Sequence, residues 1–202
     1  MMQAPIIARA LLRFAKEPPR RILDLGAGDG TFMLKLARLL APSWRDVTVT
    51  LLDQQDIVGT DTRQGLSKLG WRAETVAADV FAYLSTPAPL AADIVTVNLF
   101  LHHFGQDDLG RLLALAAQRT MLFVACEPER RAFPLMASRL LWAIGCNDVS
   151  RHDAVASVRA GFRGQELSAL WPGQDRWELH EYSRLPFTHC FVARRLDRTR
   201  AP

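Results

Sequence analysis

The sequence predicts an α/β fold of seven strands, five parallel and interleaved with helices and two that close the sheet as an antiparallel hairpin. Three features carry that prediction. A short stretch, Ile22 to Leu25, passes through glycines at alternate positions into a segment of helical spacing. Further apolar or β-branched stretches follow, each separated from the next by a helical pattern, which is how βαβ units and a parallel sheet read. Near the end, two alternating stretches are joined by a connection too short for a crossover, so they must pair antiparallel.

Taken in order, residues 5 to 16 (PIIARALLRFAK) open with a proline suited to the first helical turn. Ile6, Ile7, Ala10, Leu11 and Phe14 share a face opposite Arg9, Arg13 and Lys16, so this helix packs on the sheet, covers a ligand or lies on a membrane surface. Pro18-Pro19 stop it before the first strand. After the glycines, Phe32, Met33, Leu36, Ala37 and Leu40 give a helix its apolar face, and Pro42 ends it. Val47 to Asp53 (VTVTLLD) reads as strand two, Thr60 to Leu69 as a helix stopped by Gly70, and Trp71 to Ala78 as strand three. Beyond Pro87 and Pro89, Ala92 to Leu99 (ADIVTVNL) is a buried strand four. Asp107 to Ala117 is a helix and Met121 to Cys126 (MLFVAC) strand five. Ala132 to Ile144, Asp153 to Ala160 and Gln165 to Leu170 carry helical patterns, and Trp177 to Tyr182 with Phe187 to Ala193 forms the hairpin.

At 202 residues and 49% apolar content the chain supports one sizeable core. The three cysteines (Cys126, Cys146, Cys190) are odd in number and lack C-x-x-C spacing, so no disulfide framework or zinc site is implied and a reducing, cytoplasmic setting is expected. No apolar run reaches transmembrane length, and the N-terminus has no h-region or cleavage signature. The net charge is +4, but the arginines are scattered and densest in the tail (Arg194, Arg195, Arg198, Arg200). That pattern reads as solvated surface rather than a nucleic-acid site, and no nucleic-acid module is recognisable.

The strand–glycine–helix turn at 22–38 (ILDLGAGDGTFMLKLAR) collects backbone N–H groups and a positive helix end at one point, a site for an anionic or polar cofactor group. A dinucleotide fingerprint requires G-x-G-x-x-G, and the third position falls on Thr31 or Met33. No Lys-Ser/Thr pair follows, so a phosphate-binding P-loop is excluded as well.

Asp24, Gly26, Gly28 and Gly30 make D-x-G-x-G-x-G, which resembles the first motif of the class I S-adenosylmethionine-dependent methyltransferases. The resemblance covers about residues 20 to 195. It implies a Rossmann-like, doubly wound seven-stranded sheet, and S-adenosyl-L-methionine as cofactor with the loop Gly26-Ala27-Gly28 closing on its methionine part. It also implies that Asp53, beside Gln54, accepts the ribose hydroxyls, and that Asp79, followed by Val80, meets the adenine amino group with Phe81 against the purine. Asn98 and Leu99 end strand four beside the cofactor. One domain over 1–202 is expected, divided as an N-terminal helix (1–19), a cofactor-binding half (20–127), substrate-side helices (128–176), the hairpin (177–195) and a frayed tail (196–202).

Leu101-His102-His103 after strand four is similar to an L-H-H that many small-molecule members of that class carry at the substrate pocket. His102 and His103 are therefore the catalytic candidates, since imidazole can remove a hydroxyl proton near neutral pH. Being adjacent, they are not both expected to face the substrate; either could instead be a hydrogen-bonded histidine opening the next helix. His189, between Phe187 and Phe191 on one strand face, reads as a core or pocket-wall residue, and Glu127 could orient substrate, orient a histidine, or sit in an ordinary ion pair. No N/D-P-P-Y/F follows strand four and no catechol-type metal set is visible, so a metal-independent enzyme acting on a small molecule is expected, with oxygen favoured as acceptor. The Phe, Trp and Leu of 133–142 and 162–177 point to an apolar or phenolic, polyketide-like acceptor, and a homodimer is a candidate assembly. The alternatives are an RNA methyltransferase and a non-catalytic cofactor-binding subunit of a biosynthetic complex.

Overall fold

Alternation along the strands sorts the apolar side chains onto two faces of one sheet, and each face is then covered by its own helices. A computed structural model describes residues 3–86, 92–130, 161–184 and 188–196. The strands are β1 (Arg21–Leu25), β2 (Thr48–Asp53), β3 (Arg72–Ala77), β4 (Ile94–Asn98), β5 (Leu122–Pro128), β6 (Trp177–Arg184) and β7 (Thr188–Arg195). They form one 7-stranded sheet in the order β3-β2-β1-β4-β5-β7-β6. The first five are parallel; β7 pairs antiparallel with β5 and β6 with β7.

Ile22, Val49, Leu51, Val124 and Val192 face α1 (Gln3–Phe14) and α2 (Thr31–Leu40), whose Ile7, Leu11, Met33, Leu36 and Leu40 complete one core layer, joined by Leu66 of α3 (Thr60–Lys68). Leu23, Leu25, Val95, Val97, Phe123 and Phe191 face the other way, against Leu84 of α4 (Val80–Ser85), Leu112 and Leu113 of α5 (Gln106–Ala117) and Leu167 of α6 (Glu166–Leu170). The central parallel strands β1, β4 and β5 are thus buried on both sides, the condition for a doubly wound sheet.

Several element ends differ from expectation. α1 stops at Phe14 rather than running to residue 16, because Pro18 disfavours helical backbone before it and the chain must already turn into β1. It packs on α2, β5 and β7, and none of its residues lines the cavity at the glycine loop. β5 continues to Pro128, beyond Cys126, because β7 supplies partners for Cys126, Glu127 and Pro128. Glu and Pro read locally as strand-poor residues, so this extension is a tertiary effect. The expected helices at Ala132 to Ile144 and Asp153 to Ala160, together with Cys146, Phe187 and the tail beyond Leu196, lie outside the described residues. Two members of the arginine cluster are fastened to the hairpin, Arg194 by an ion pair with Glu178 and Arg195 over the Trp177 ring at 5.7 Å. No helix among the described residues is long and apolar enough to cross a membrane.

Candidate active site

The glycine loop is shaped by backbone conformation first. Gly26, Gly28 and Gly30 have φ of +69°, +55° and +73°, a region that costs an L side chain about 1–2 kcal/mol. Gly26 has a second constraint, since a Cβ there would lie 2.4 Å from the Phe100 ring. The N–H groups of Gly26 and Ala27 donate to the Leu52 carbonyl at 2.9 and 3.0 Å, and Gly28 N–H donates to Asp53 Oδ2 at 2.9 Å. The loop therefore hangs from the end of β2, and Gly30 stands at the start of α2.

Asp24 sits beneath the loop, buried, and accepts a hydrogen bond from Thr96 Oγ1 at 2.7 Å. Burial, reinforced by the charge of Asp53 and opposed by the Thr96 bond, raises its pKa from 3.8 to about 7. Asp53 ends β2 half-buried, with Oδ1 accepting the Gln55 N–H at 3.2 Å. Asp79 caps α4, accepting the Ala82 N–H at 2.9 Å. Phe81 packs edge-on to Phe104 at 5.6 Å, with the Arg111 guanidinium over its ring. Asn98 closes β4 with a buried Oδ1 that has no partner. Leu99 follows at φ +56°, a strained conformation for a leucine, and donates its N–H to the Cys126 carbonyl at 2.9 Å.

A cavity of about 380 Å³ opens at the carboxyl ends of these strands. Its walls include Gly26, Leu52, Asp53, Gln54, Gln55, Ala78, Val80, Phe100, His103 and Phe104. Of the expected cofactor residues, Gly26, Asp53, Gln54 and Val80 meet there. Asp24, Ala27, Gly28, Gly30, Asp79, Asn98 and Leu99 surround or support this cavity without lining it. Phe100 and Phe104 were not anticipated as walls; an aromatic on each side of the histidines was the available signal.

The two histidines diverge. His103 lines the cavity at the glycine loop, and burial together with the neighbouring His102 holds its pKa below the usual histidine value, with Glu127 opposing. The His102 ring lies 4.1 Å away and lines a second cavity of about 440 Å³, with Leu109, Arg130, Phe162 and Leu170; Phe104 borders both. The His102 side chain is 14% exposed, and its Nδ1 lies 2.7 Å from Oε2 of Glu127, which is wholly buried. The other Glu127 oxygen, Oε1, accepts the N–H groups of Phe100 and Leu101, each at 2.9 Å. One carboxylate at the end of β5 thus fixes both the turn after β4 and the imidazole on it. In the neutral ring the proton then sits on Nδ1, and Nε2 keeps its lone pair.

His189 is buried and pairs with Glu181 at 2.7 Å, which in turn accepts the N–H groups of Leu167 and Ser168 at the start of α6. His180 pairs with Glu178 and packs on Phe14, and His152 lies outside the described residues. Among the described residues, no three His, Cys, Asp or Glu side chains converge as a metal site.

Residues 22–120 match the family described as "Methyltransferase domain". Solved structures share the fold at low identity. An O-methyltransferase family protein from Burkholderia thailandensis superposes with a TM-score of 0.63 at 19% identity, covering 96% of this chain and 55% of that one. The plantazolicin methyltransferase BpumL in complex with SAH gives 0.65 at 14%, covering 96% and 83%. Magnesium protoporphyrin IX methyltransferase from Synechocystis PCC 6803 with bound SAM gives 0.59 at 12%, covering 96% and 79%. The chain spans little more than half the length of several such proteins. No curated protein sequence matches it.

Proposed function

We propose that the chain is a class I S-adenosylmethionine-dependent methyltransferase that methylates a hydroxyl of a small molecule without a metal, His102 acting as base. The observation that carries this reading is the Glu127–His102 pair, a buried carboxylate that leaves Nε2 bare at the wall of a cavity adjoining that of the cofactor.

The residues at the glycine loop fit S-adenosylmethionine. A carboxylate has about four acceptor sites; Asp53 uses two on Gly28 and Gln55, leaving acceptors for two ribose hydroxyls. Val80, Phe100 and Phe104 would supply apolar surface for a purine, with Asp79 next to Val80 in the chain, and the Gly26-Ala27-Gly28 loop would receive the methionine part. When bound, the cofactor supplies an electrophilic methyl on a sulfonium. The protein would hold the acceptor hydroxyl beside the cofactor cavity, where orientation provides most of the acceleration, and Nε2 of His102 would take the hydroxyl proton as the methyl passes to oxygen and the cofactor leaves as the neutral thioether S-adenosylhomocysteine.

The test is calorimetric binding of S-adenosylhomocysteine, with NAD and ATP as controls, followed by turnover of the variants. Selective binding that Asp53→Ala abolishes supports the cofactor assignment; binding of NAD instead would sink it. His102→Ala should spare S-adenosylhomocysteine binding and lower turnover by about 10²–10⁴. A second reading, favoured by His103 lining the cofactor cavity, makes His103 the base; it gains if His103→Ala alone slows turnover. Unchanged turnover in both removes the base assignment.

A further inference from the structure

Two cavities meet at Phe104, and the cofactor assignment occupies one of them. The other measures about 440 Å³, within the range of small-ligand sites and sufficient for one or two rings. Phe104, Leu109, Phe162 and Leu170 give it apolar walls, shared with the polar Gln106 and with His102 as its one imidazole among the described residues. Two charged side chains also line it, and they cancel. Arg130 Nη1 and Nη2 donate to Glu166 Oε1 and Oε2, each at 2.9 Å, and Arg130 Nε donates to the Gly161 carbonyl at 2.9 Å. The guanidinium is therefore committed on both its fork and its Nε, which suits it to holding the wall together rather than receiving an acid.

Gly161 shows why that wall stays in place. A Cβ there would lie 2.7 Å from the Arg130 nitrogen, so the chain crosses the end of β5 in contact with it. Phe162 N–H donates to the Pro128 carbonyl and Arg130 N–H to the Phe162 carbonyl, both at 3.0 Å. An anionic acceptor would find the Arg130 charge already matched by Glu166, with that carboxylate beside it to repel it. A neutral one meets no such cost.

We propose that this cavity is the methyl-acceptor site and that it takes a neutral aromatic alcohol, its hydroxyl on His102 Nε2 and its ring against Phe104, Phe162 and Leu170. The assignment rests on the methyltransferase reading above. The experiment titrates β-naphthol, and separately its carboxylated analogue hydroxynaphthoate, into the protein saturated with S-adenosylhomocysteine. β-Naphthol should bind about tenfold more tightly than hydroxynaphthoate. Leu170→Ala should weaken it by about tenfold while S-adenosylhomocysteine affinity stays within about twofold. Ala169→Trp, placed at an exposed cavity residue and so harmless to the core, should block β-naphthol in the same way. Tighter binding of hydroxynaphthoate, no saturable binding of β-naphthol, or β-naphthol binding that Ala169→Trp leaves unmoved would each overturn the assignment. Failure of the wild-type protein to bind S-adenosylhomocysteine would instead bring down the reading on which it rests.

Discussion

Replacing Glu127 by glutamine separates what its two oxygens do. The amide carbonyl must turn toward the Phe100 and Leu101 N–H groups, since two N–H donors cannot be met by a third. The amide nitrogen is then left facing His102 Nδ1 across the 2.7 Å contact. Only a bare Nδ1 can accept from it, so the ring proton moves to Nε2 and the lone pair turns away from the acceptor cavity. Turnover should fall by the full contribution of a general base, about 10²–10⁴. Stability should fall little: a charge-assisted bond of about 1.5–3 kcal/mol is exchanged for a neutral one of about 0.5–1.5. A net loss of about 1 kcal/mol lowers the melting temperature of a domain this size by about 2–4 °C. The assays are methyl transfer to the acceptor, thermal melting, and ¹⁵N NMR of the imidazole, which reports the protonated nitrogen without any acceptor. Glu127→Ala should behave differently, leaving two buried N–H groups unpaired at about 1–3 kcal/mol each and loosening the cofactor wall as well. Near-normal turnover in Glu127→Gln, or an Nε2 still unprotonated there, would refute the reasoning.

Asp24, held at a pKa of about 7 against 3.8 unfolded, binds its proton more tightly in the folded chain. Its contribution to stability is therefore fully present below about pH 4 and lost as pH rises through 7, with an upper bound of about 4 kcal/mol at 1.36 kcal/mol per pKa unit. Asp24→Asn keeps the Thr96 bond and should flatten the dependence of melting temperature on pH between 4 and 8, leaving the variant the more stable protein at pH 8; an unchanged profile counts against the assignment. His103 has the opposite balance: its folded pKa is depressed, so the unfolded chain binds the proton first and stability should drop as pH falls below about 6.5. His103→Gln should remove that part of the acid sensitivity in melting curves. Gly26→Ala and Gly28→Ala form a contrasting pair. The first combines φ strain with collision against Phe100 and should fall well below wild type in melting temperature, whereas the second has open space around the added methyl and should lose only about 1–2 kcal/mol while still weakening S-adenosylhomocysteine binding.

The glycine loop and the end of β2 were legible because their signals are local. The glycines at 26, 28 and 30 are needed at those positions by their own φ values, and Asp53 ends an apolar strand that its composition alone marks. The division of labour between His102 and His103 was not legible. Adjacent residues in a 3₁₀ turn (Leu101–His103) point into different cavities, and which cavity each meets depends on where β5 ends, 25 residues away in sequence from His102 to Glu127. Glu127 carried a faint signal as an acid terminating a wholly apolar strand, but its three hydrogen-bond donors come from a different βα unit. The wall formed by Arg130, Gly161, Phe162 and Glu166 was invisible for the same reason, since it joins residues about 30 apart through one close backbone crossing.

The strain at Leu99 shows how firmly the end of β5 dictates this site. A leucine at positive φ costs about 1–2 kcal/mol. Three successive N–H groups, those of Leu99, Phe100 and Leu101, all go to acceptors on Cys126 and Glu127. At about 0.5–1.5 kcal/mol each, these bonds outweigh the strain. The next two N–H groups both reach the same carboxylate oxygen, so the turn is held where the bonds place it. Phe100, which closes on Gly26, and His102, which faces the second cavity, ride on that one turn. The wall of the cofactor cavity and the nitrogen facing the acceptor cavity are thereby registered to each other through a single buried carboxylate. The proposed transfer between the two cavities demands that registration, which makes Glu127, more than either histidine, the residue on which the geometry of the proposed site depends.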